Sequence, residues 1–277
     1  MLGGKNIDLE VARAVRGMGG PDFPSALSSL VRKITPFDNL IILIYDGEKN
    51  PVVVHREYRD PVVYLRMDDQ YLVGAYVLDP FYQAHLKGTT RGIYRLLDIA
   101  PDQFKRTSYY NVYYRQTTLI DEIAIFARIK PAMTITACFG KDRTSGKKFR
   151  QADKRELESN EALLTALVET HWKDFAGRDS NLQTLPPLSQ RLKTLLEKES
   201  GFKLSPRQAE VALYILRGHS SLSIGLNLGI SRQTVKVFRR QLYARCNISS
   251  QAELFALMMP ILVRLSADET NTDSSHI

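Results

Sequence analysis

The first two thirds of this chain alternate between helical and strand-like hydrophobic patterns. Residues 39–45 (NLIILIY) form an apolar run, followed by the turn-forming sequence DGEKN and a second strand-like run over 51–58, so the pattern predicts a β-hairpin. Two more strands are predicted over 117–129 and 132–139. Helical spacing of apolar residues predicts helices over 7–15, 25–34 and 153–172. This order predicts an α+β fold, in which an antiparallel sheet is sandwiched between helices as an α-β-α arrangement.

The last quarter of the chain has helical patterns only. Ser205-Pro206 is a helix start signal and Gly218 is a stop signal, which together predict a helix over 206–217. A second short helix is predicted over 221–228. Gly229-Ile230-Ser231 then reads as a tight turn that leads into a third helix, over 232–246.

The third helix has two chemically different faces. Apolar residues recur at i, i+3, i+7 and i+11, while polar and basic residues occupy the other side. The inward set is Val235, Phe238, Leu242 and Cys246, and the outward set is Gln233, Lys236, Val237 and Arg240. A short helix, a glycine-containing turn and a helix so decorated predict a helix-turn-helix that enters the major groove of DNA.

Charge is concentrated in the same segment. Residues 201–265 hold nine Lys and Arg and two acidic residues, or +7, whereas residues 1–200 carry +4 in total. Clustered positive charge attracts the phosphate backbone of nucleic acids. The alternative, an ordinary solvated basic face, explains the charge but not the helix-turn-helix pattern.

The segment from Leu204 to Met259 closely resembles the C-terminal DNA-binding domain of the LuxR/FixJ family of bacterial transcription regulators. The residues that carry the resemblance are Leu204, Pro206, Arg207, Glu210, Val211, Gly218, Ile224, Leu228, Gly229, Ile230, Ser231, Thr234, Val235, Lys236, Arg239, Ile248, Ser249, Ser250, Ala252, Glu253 and Leu254. The resemblance implies a fourth helix, over about 249–265, that contributes to dimerisation.

We expect two groups of residues to contact DNA. Lys236, Val237 and Arg240, with Gln233 and Thr234, would read or be positioned on the major groove, and Arg232, Arg239 and Arg245 would mainly hold phosphates. The resemblance implies a homodimer, and dimeric helix-turn-helix proteins bind pseudo-palindromic sites, so we expect two copies on double-stranded promoter DNA.

The sequence divides into four predicted parts. Residues 1–175 form a ligand-sensing and dimerisation domain, and the polar, proline-containing segment 176–200 forms a linker. Residues 201–265 form the helix-turn-helix domain, and the polar segment 266–277 forms a disordered tail. The element order of the first part resembles the GAF/PAS-like sensory domains that precede LuxR-type helix-turn-helices.

A local motif suggests where an effector binds. Tyr76-Val-Leu-Asp79-Pro80 resembles the Tyr-x-x-Asp-Pro segment of the autoinducer-binding domains of quorum-sensing LuxR proteins, in which the aspartate accepts a hydrogen bond from the ligand amide. Those receptors also place tryptophans around the acyl-homoserine-lactone head group. The only tryptophan here is Trp172, so we expect a different small molecule.

The candidate effector site combines two acids with an aromatic wall. Buried acids beside aromatic rings would suit a cationic or amine-bearing ligand. The acids are Asp79 and Glu122, and the wall residues are Tyr71, Tyr76, Phe81, Tyr82, Tyr94, Tyr110 and Tyr114. Structural alternatives remain: core packing for each aromatic residue, a helix cap or turn for Asp79, and a surface position for Glu122.

The sequence lacks the motifs that phosphate binding and metal binding require. There is no phosphate-cradling glycine motif and no metal-ligand spacing, so no cofactor or metal is expected. His85 and Cys138 could form a nucleophile pair, but without an orienting group a structural role is the favoured interpretation. The chain shows no signal peptide and no apolar run long enough to span a membrane, which indicates a cytoplasmic protein.

These observations predict a bacterial transcription regulator that binds DNA and is controlled by a small molecule. It is not expected to be an enzyme. Two alternatives remain open: the N-terminal domain could be controlled by a protein partner, or it could have catalytic activity.

Overall fold

The computed structural model describes residues 7–175 and 186–272, with side chains through Ser266. The chain folds as two compact units, and each is built from separate stretches of sequence. The first unit takes residues 1–64, 84–99 and 118–181, and the second takes 65–83, 100–117 and 182–277.

A five-stranded antiparallel sheet forms the centre of the first unit. Its strand order is β2-β1-β5-β4-β3, and every neighbouring pair is antiparallel. The predicted hairpin and the predicted pair of later strands are therefore confirmed. The strands are β1 (Asn39–Asp46), β2 (Val52–Glu57), β3 (Arg91–Arg95), β4 (Leu119–Lys130) and β5 (Met133–Asp142).

Helices supply the rest of the hydrophobic core of the first unit. Successive side chains of a strand point to opposite faces of the sheet, so Leu40 and Ile42 of β1 lie on the same face. Both belong to one hydrophobic core with helical residues such as Leu164. Trp172 belongs to this core and meets the ring of Phe23 edge-on at 5.5 Å between centroids. The helices of this unit are α1 (Ile7–Gly17), α2 (Phe23–Ile34), α4 (Leu96–Ile99), α5 (Gln151–Ser159) and α6 (Glu161–Trp172), while α3 (Pro80–Leu86) begins in the second unit and ends in the first.

One predicted helix of the first unit is divided in two. The sequence predicts a single helix over 153–172, but α5 ends and α6 begins at Asn160. Asn160 has φ −107° and ψ 10°, outside the helical region, and its amide Nδ2 donates to the carbonyl oxygen of Glu156. A polar side chain that bonds to its own backbone competes with helix continuation.

The tyrosine-rich stretches in the second unit are short irregular turns. The sequence pattern over 68–86 predicts a helix that is broken near Asp79-Pro80, because proline disfavours helix in the residue before it. The structure instead has a π-helical turn at Met67–Tyr71, a 3-10 turn at Ala75–Leu78 and only then α3. Gly74 explains part of the difference, because its φ of 159° is adopted almost only by glycine. A Cβ there would also lie 3.0 Å from the backbone of Val263, so the turn packs closely against the last helix.

The remaining helices lie in the second unit. They are α7 (Leu188–Ser200), α8 (Pro206–Arg217), α9 (Ser221–Leu228), α10 (Arg232–Arg245) and α11 (Gln251–Thr272). Helix α11 continues to Thr272, so the prediction of a disordered tail from residue 266 is not met over 266–272. Residues 273–277 lie outside the described part of the chain.

The predicted domain boundaries differ from the two units. The sequence places all of 1–175 in one domain, whereas 65–83 and 100–117 group with the C-terminal helices. Of the predicted linker 176–200, residues 176–185 lie outside the described residues, and 188–200 form α7, which buries Leu192 and Leu196. Sequence composition marked the polar character of this stretch but not these non-local contacts.

Candidate nucleic-acid interface and effector segments

A side-chain cap sets the start of α8, the helix that precedes the helix-turn-helix pair α9 and α10. The Ser205 hydroxyl accepts a hydrogen bond from the Gln208 amide at 3.2 Å, and Gln208 Oε1 accepts one from the Ser205 amide at 2.9 Å. This reciprocal capping box satisfies two backbone donors that the helix leaves free. Helix α8 then ends at Gly218, whose φ is 94°.

The turn between α9 and α10 is tight. Gly229 ends α9 with a φ of 65°, and the Ile230 amide donates to the Gly225 carbonyl at 3.0 Å. A Cβ on Gly225 would lie 2.7 Å from the Ile230 carbonyl oxygen, so a side chain at that position would force the turn open. Glycine at this position thus fixes the angle at which α10 leaves α9.

Helix α10 points its basic face to solvent, as the sequence predicts. Ser231 caps the helix by accepting from the Thr234 amide at 3.0 Å. Of the predicted inward set, Val235, Leu242 and Cys246 are buried and Phe238 is half-buried, which turns the opposite side outward. Arg232, Gln233, Lys236, Arg240 and Arg245 are exposed, and Thr234, Val237 and Arg239 are partly exposed.

The exposed cations of α10 differ in their contacts. Among the described residues, no acidic side chain pairs with Arg232, Lys236 or Arg240. Two others are held by the protein itself: the Arg239 guanidinium lies 5.2 Å from the centre of the Tyr243 ring, and Arg245 Nη1 donates to the Lys203 carbonyl at 2.7 Å. The first group forms an unneutralised positive surface.

A cleft adjoins this basic surface. It has a volume of about 300 Å³ and is lined by residues from the start of α9, by Gln103 and by two of the α10 arginines. The lining residues are Gln103, Ser220, Ser221, Leu222, Arg232 and Arg239. Sequence analysis missed Ser220 and Ser221, although a Ser-Ser pair before a short helix is a cap signal that could have marked them.

Most of the predicted aromatic wall lies in the second unit and is buried. Tyr76 meets Tyr82 edge-on at 4.9 Å between ring centres, and Tyr71 lies 6.4 Å from Tyr76. Tyr110 stacks on Tyr114 at 5.2 Å in the same unit. Phe81 also belongs to the second unit, and both Phe81 and Tyr82 are 2% exposed.

The two remaining candidates belong to the first unit. Tyr94 lies on β3, where its ring meets Phe126 edge-on at 5.3 Å. Glu122 lies on β4 opposite Gly140 and is buried, which excludes the alternative of a surface acid. The grouping of Tyr94 and Glu122 with the other candidates in one effector site stays a prediction.

Asp79 caps helix α3. Its Oδ1 accepts a hydrogen bond from the Phe81 amide at 2.7 Å, which fits the cap alternative considered from the sequence. Burial raises the pKa of the Asp79 carboxyl to about 6, although hydrogen bonds from Phe81, Tyr71 and Tyr82 act in the opposite direction. Asp79 therefore combines a structural role with a desolvated carboxyl beside tyrosines.

The histidine and cysteine considered as a nucleophile pair have structural surroundings. Both ring nitrogens of His85 are engaged, Nδ1 with the Thr134 hydroxyl at 3.0 Å and Nε2 with the Gly47 carbonyl at 3.1 Å. Cys138 and Cys246 are both buried free thiols. Among the described residues, no group of three or more histidine, cysteine, aspartate or glutamate side chains is arranged to hold a metal ion.

Comparison with known proteins assigns the C-terminal part. Residues 203–258 match the family model described as bacterial regulatory proteins, luxR family. A protein of Aeromonas salmonicida, provisionally named as an HTH-type transcriptional regulator in the exeN 3′ region, is 26% identical over 199 residues, which is 70% of this chain and all of that protein. The C-terminal segment therefore matches the luxR family of bacterial regulatory proteins, a family of regulators that is not a class of enzymes.

A solved structure shows a likeness of fold to this chain. The VqsR LBD domain from Pseudomonas aeruginosa aligns with 61% of this chain and 97% of its own, at a TM-score of 0.52 and 22% identity. SdiA in complex with octanoyl-rac-glycerol aligns over 94% of this chain and 98% of its own, at a TM-score of 0.42 and 13% identity.

No helix in the described residues is both long enough and apolar enough to cross a membrane.

Proposed function

We propose that this chain, with its LuxR-family domain at residues 203–258, is a transcription regulator that binds promoter DNA through α10 and responds to a small-molecule effector. The observation that carries the proposal is the exposed face of α10, where Arg232, Lys236 and Arg240 have no acidic partner among the described side chains. Leaving such charge unneutralised is unfavourable for the isolated protein but favours contact with phosphates and base edges.

The α10 residues divide into two roles. Lys236, Val237 and Arg240, with Gln233 and Thr234, face outward along the helix and would enter the major groove. Arg232, Arg239 and Arg245 lie toward the ends and flank of that face and would hold phosphates. The cation–π contact of Arg239 with Tyr243 and the backbone bond of Arg245 would hold those guanidinium groups in place before DNA arrives.

The effector part of the proposal rests on the desolvated Asp79 and its tyrosines. A carboxyl whose pKa is raised to about 6 by burial is stabilised by any ligand group that donates a hydrogen bond or brings positive charge. Tyr71, Tyr76 and Tyr82 supply aromatic surface around it that suits such a ligand. The likeness of fold to a structure named as an LBD domain agrees with this proposal.

A homodimer completes the proposal. One helix-turn-helix reads only a few base pairs, whereas two copies related by a two-fold axis read a pseudo-palindrome with one half-site each. An effector controls such a dimer only if its affinity differs between two arrangements of the DNA-binding domains.

The proposal is tested on the full chain with two measurements. Binding sites are selected from random duplex DNA, and the recovered sequences should share a pseudo-palindrome; recovery without any shared sequence would contradict specific recognition. Thermal unfolding is then followed with amines, acyl-homoserine lactones and other metabolites, where a compound at 100 times its Kd should add roughly 2.7 kcal/mol. A hit that is lost in Asp79→Asn or Glu122→Gln supports the effector site, and no hit in the library points to control by a protein partner.

A further inference from the structure

An acidic residue outside the helix-turn-helix, Asp102, contacts the start of α9. Asp102 Oδ1 accepts a hydrogen bond from the backbone amide of Ser220 at 2.9 Å. Ser220 is the residue that caps α9, and both residues belong to the second unit. Asp102 thus places a carboxylate at the N-terminus of α9, 118 positions away in sequence.

The neighbours of Asp102 hold it against the helix-turn-helix. The Gln103 amide donates to the Gly218 carbonyl at 2.8 Å, next to the end of α8. A Cβ on Gly218 would lie 2.8 Å from the Cα of Phe104 and 2.7 Å from Cγ2 of Thr107. Such a close approach of two backbones shows that residues 102–107 are packed onto the end of α8 and do not merely lie near it.

The contact lies beside the surface proposed to bind DNA. Gln103 and Ser220 line the same cleft of about 300 Å³ as Arg232 and Arg239. The free amides at a helix N-terminus carry partial positive charge, and in protein–DNA complexes such amides bind phosphate oxygens. The start of α9 and the two arginines thus line one cleft, and the Asp102 carboxylate is hydrogen-bonded to Ser220, one of its lining residues.

The electrostatics of Asp102 agree with this arrangement. Partial burial would raise the pKa of its carboxyl, but hydrogen bonds from the Ser220 hydroxyl and amide, with the nearby His219, lower that pKa below its ordinary value. At neutral pH the group is therefore an anion, and it is stabilised by the end of the helix-turn-helix that it faces.

We propose that Asp102 occupies the place of a DNA phosphate at the start of α9, so that residues 100–117 hold the helix-turn-helix in a state of lowered DNA affinity. The inference rests on the proposed function, because it presumes that α10 binds DNA. Removal of the segment from α9 both frees the Ser220 amide and withdraws a negative charge from Arg232 and Arg239. An effector that loosens residues 100–117 would thereby raise DNA affinity without touching α10.

The test compares full-length variants on a mixed-sequence DNA duplex of about 30 base pairs, because phosphate contacts do not depend on sequence. Asp102→Asn keeps an oxygen acceptor for the Ser220 amide and removes only the charge, and Asp102→Ala removes both. Asp98→Asn is the matched control: Asp98 is also an exposed acid, but it pairs with Lys154 in the first unit. Binding is followed by fluorescence anisotropy over a range of salt concentrations, and circular dichroism verifies that each variant is folded.

Both Asp102 variants should bind the duplex about three- to tenfold more tightly than wild type, and Asp98→Asn less than twofold. Because both variants remove one anion from the interface, the salt dependence of log K should also steepen by about 0.9. Equal gains for Asp102→Asn and Asp98→Asn, or no gain, would overturn the inference while leaving the proposed function intact. Absence of binding by wild type and every variant at low salt would overturn the proposed function, and the inference with it.

Discussion

The Arg95 guanidinium donates two parallel hydrogen bonds to the carboxylate of Asp121, Nε to Oδ1 at 3.0 Å and Nη2 to Oδ2 at 2.6 Å. The Asp121 side chain is completely buried, and it also accepts the Phe149 amide at 2.9 Å. This pair joins β3 to β4 and fixes the backbone that follows β5.

Asp121→Asn should destabilise the first unit strongly. The substitution leaves a largely buried guanidinium without its counter-charge, which costs about 3–5 kcal/mol. Urea unfolding followed by circular dichroism measures the loss. The matched control is Glu169→Gln, which removes the acid of the exposed Arg91–Glu169 pair and should cost far less than Asp121→Asn because solvent screens the two charges. Similar losses of unfolding free energy for the two variants would contradict the prediction that burial makes the Arg95–Asp121 pair costly to break.

Gly218→Ala should be far more damaging than Gly229→Ala. Both glycines end helices with positive φ, 94° and 65°, so alanine adds backbone strain of about 1 kcal/mol at either position. Only at Gly218 does the new Cβ also collide with the backbone of Phe104. We therefore expect a clear additional loss of unfolding free energy for Gly218→Ala, measured by urea titration, and equal losses would show that the packing against Phe104 gives way easily.

Asp79 should make stability depend on pH. Its folded pKa of about 6 exceeds the ordinary value of 3.8, so the folded state holds this proton more tightly than the unfolded state does. The resulting contribution to stability is fully present below about pH 4 and is lost as pH rises through about 6.

Asp79→Asn should remove that dependence. Asparagine keeps an oxygen that can cap α3 but carries no charge to bury, so the variant should be more stable than wild type at pH 7, by about 3 kcal/mol at most, and no more stable at pH 4. Urea titrations at both pH values measure the difference. Asp79→Ala, which also loses the cap, should fall below Asp79→Asn at either pH; a constant gap between wild type and Asp79→Asn would contradict the raised pKa.

Lys236→Ala and Arg240→Ala should each weaken binding to the selected DNA site. Each variant removes an exposed cation from the outward face of α10, and loss of a base contact costs about 1–3 kcal/mol while loss of a phosphate contact lowers the salt slope by about 1. Fluorescence anisotropy at physiological salt measures the change. Arg155→Ala, which removes an exposed arginine from α5, is the control and should bind DNA like wild type. All three variants should keep the effector affinity of wild type.

Local signals account for most of what sequence predicted correctly. Ser205, Gly218 and Ser231 act on backbone groups within three or four residues of themselves, so their sequence neighbours suffice to place α8 and the start of α10. The apolar run of β1 and the alternation of apolar residues in β4 and β5 predicted these strands for the same reason, because each strand carries its own pattern.

Distant contacts account for what sequence could not predict. The turns around Gly74 are shaped by their approach to Val263, and no pattern within residues 65–83 reports that neighbour. Asp102 likewise looks like an ordinary loop acid until the fold brings Ser220 to it. Tyrosine-rich composition marked both stretches as unusual, but it indicated a ligand wall and not their packing on the C-terminal helices.

The division of the second unit among three stretches of chain also sets an order of events during synthesis. Residues 65–83 and 100–117 leave the ribosome well before residues 182–277, whose helices complete the same compact unit. Until then, Tyr76 lacks the hydroxyl of Ser266 that donates to it, and Phe104 lacks its contact with Gly218. These aromatic stretches must wait for the end of translation while the first unit can already pair its strands, which exposes the nascent protein to aggregation late in its synthesis.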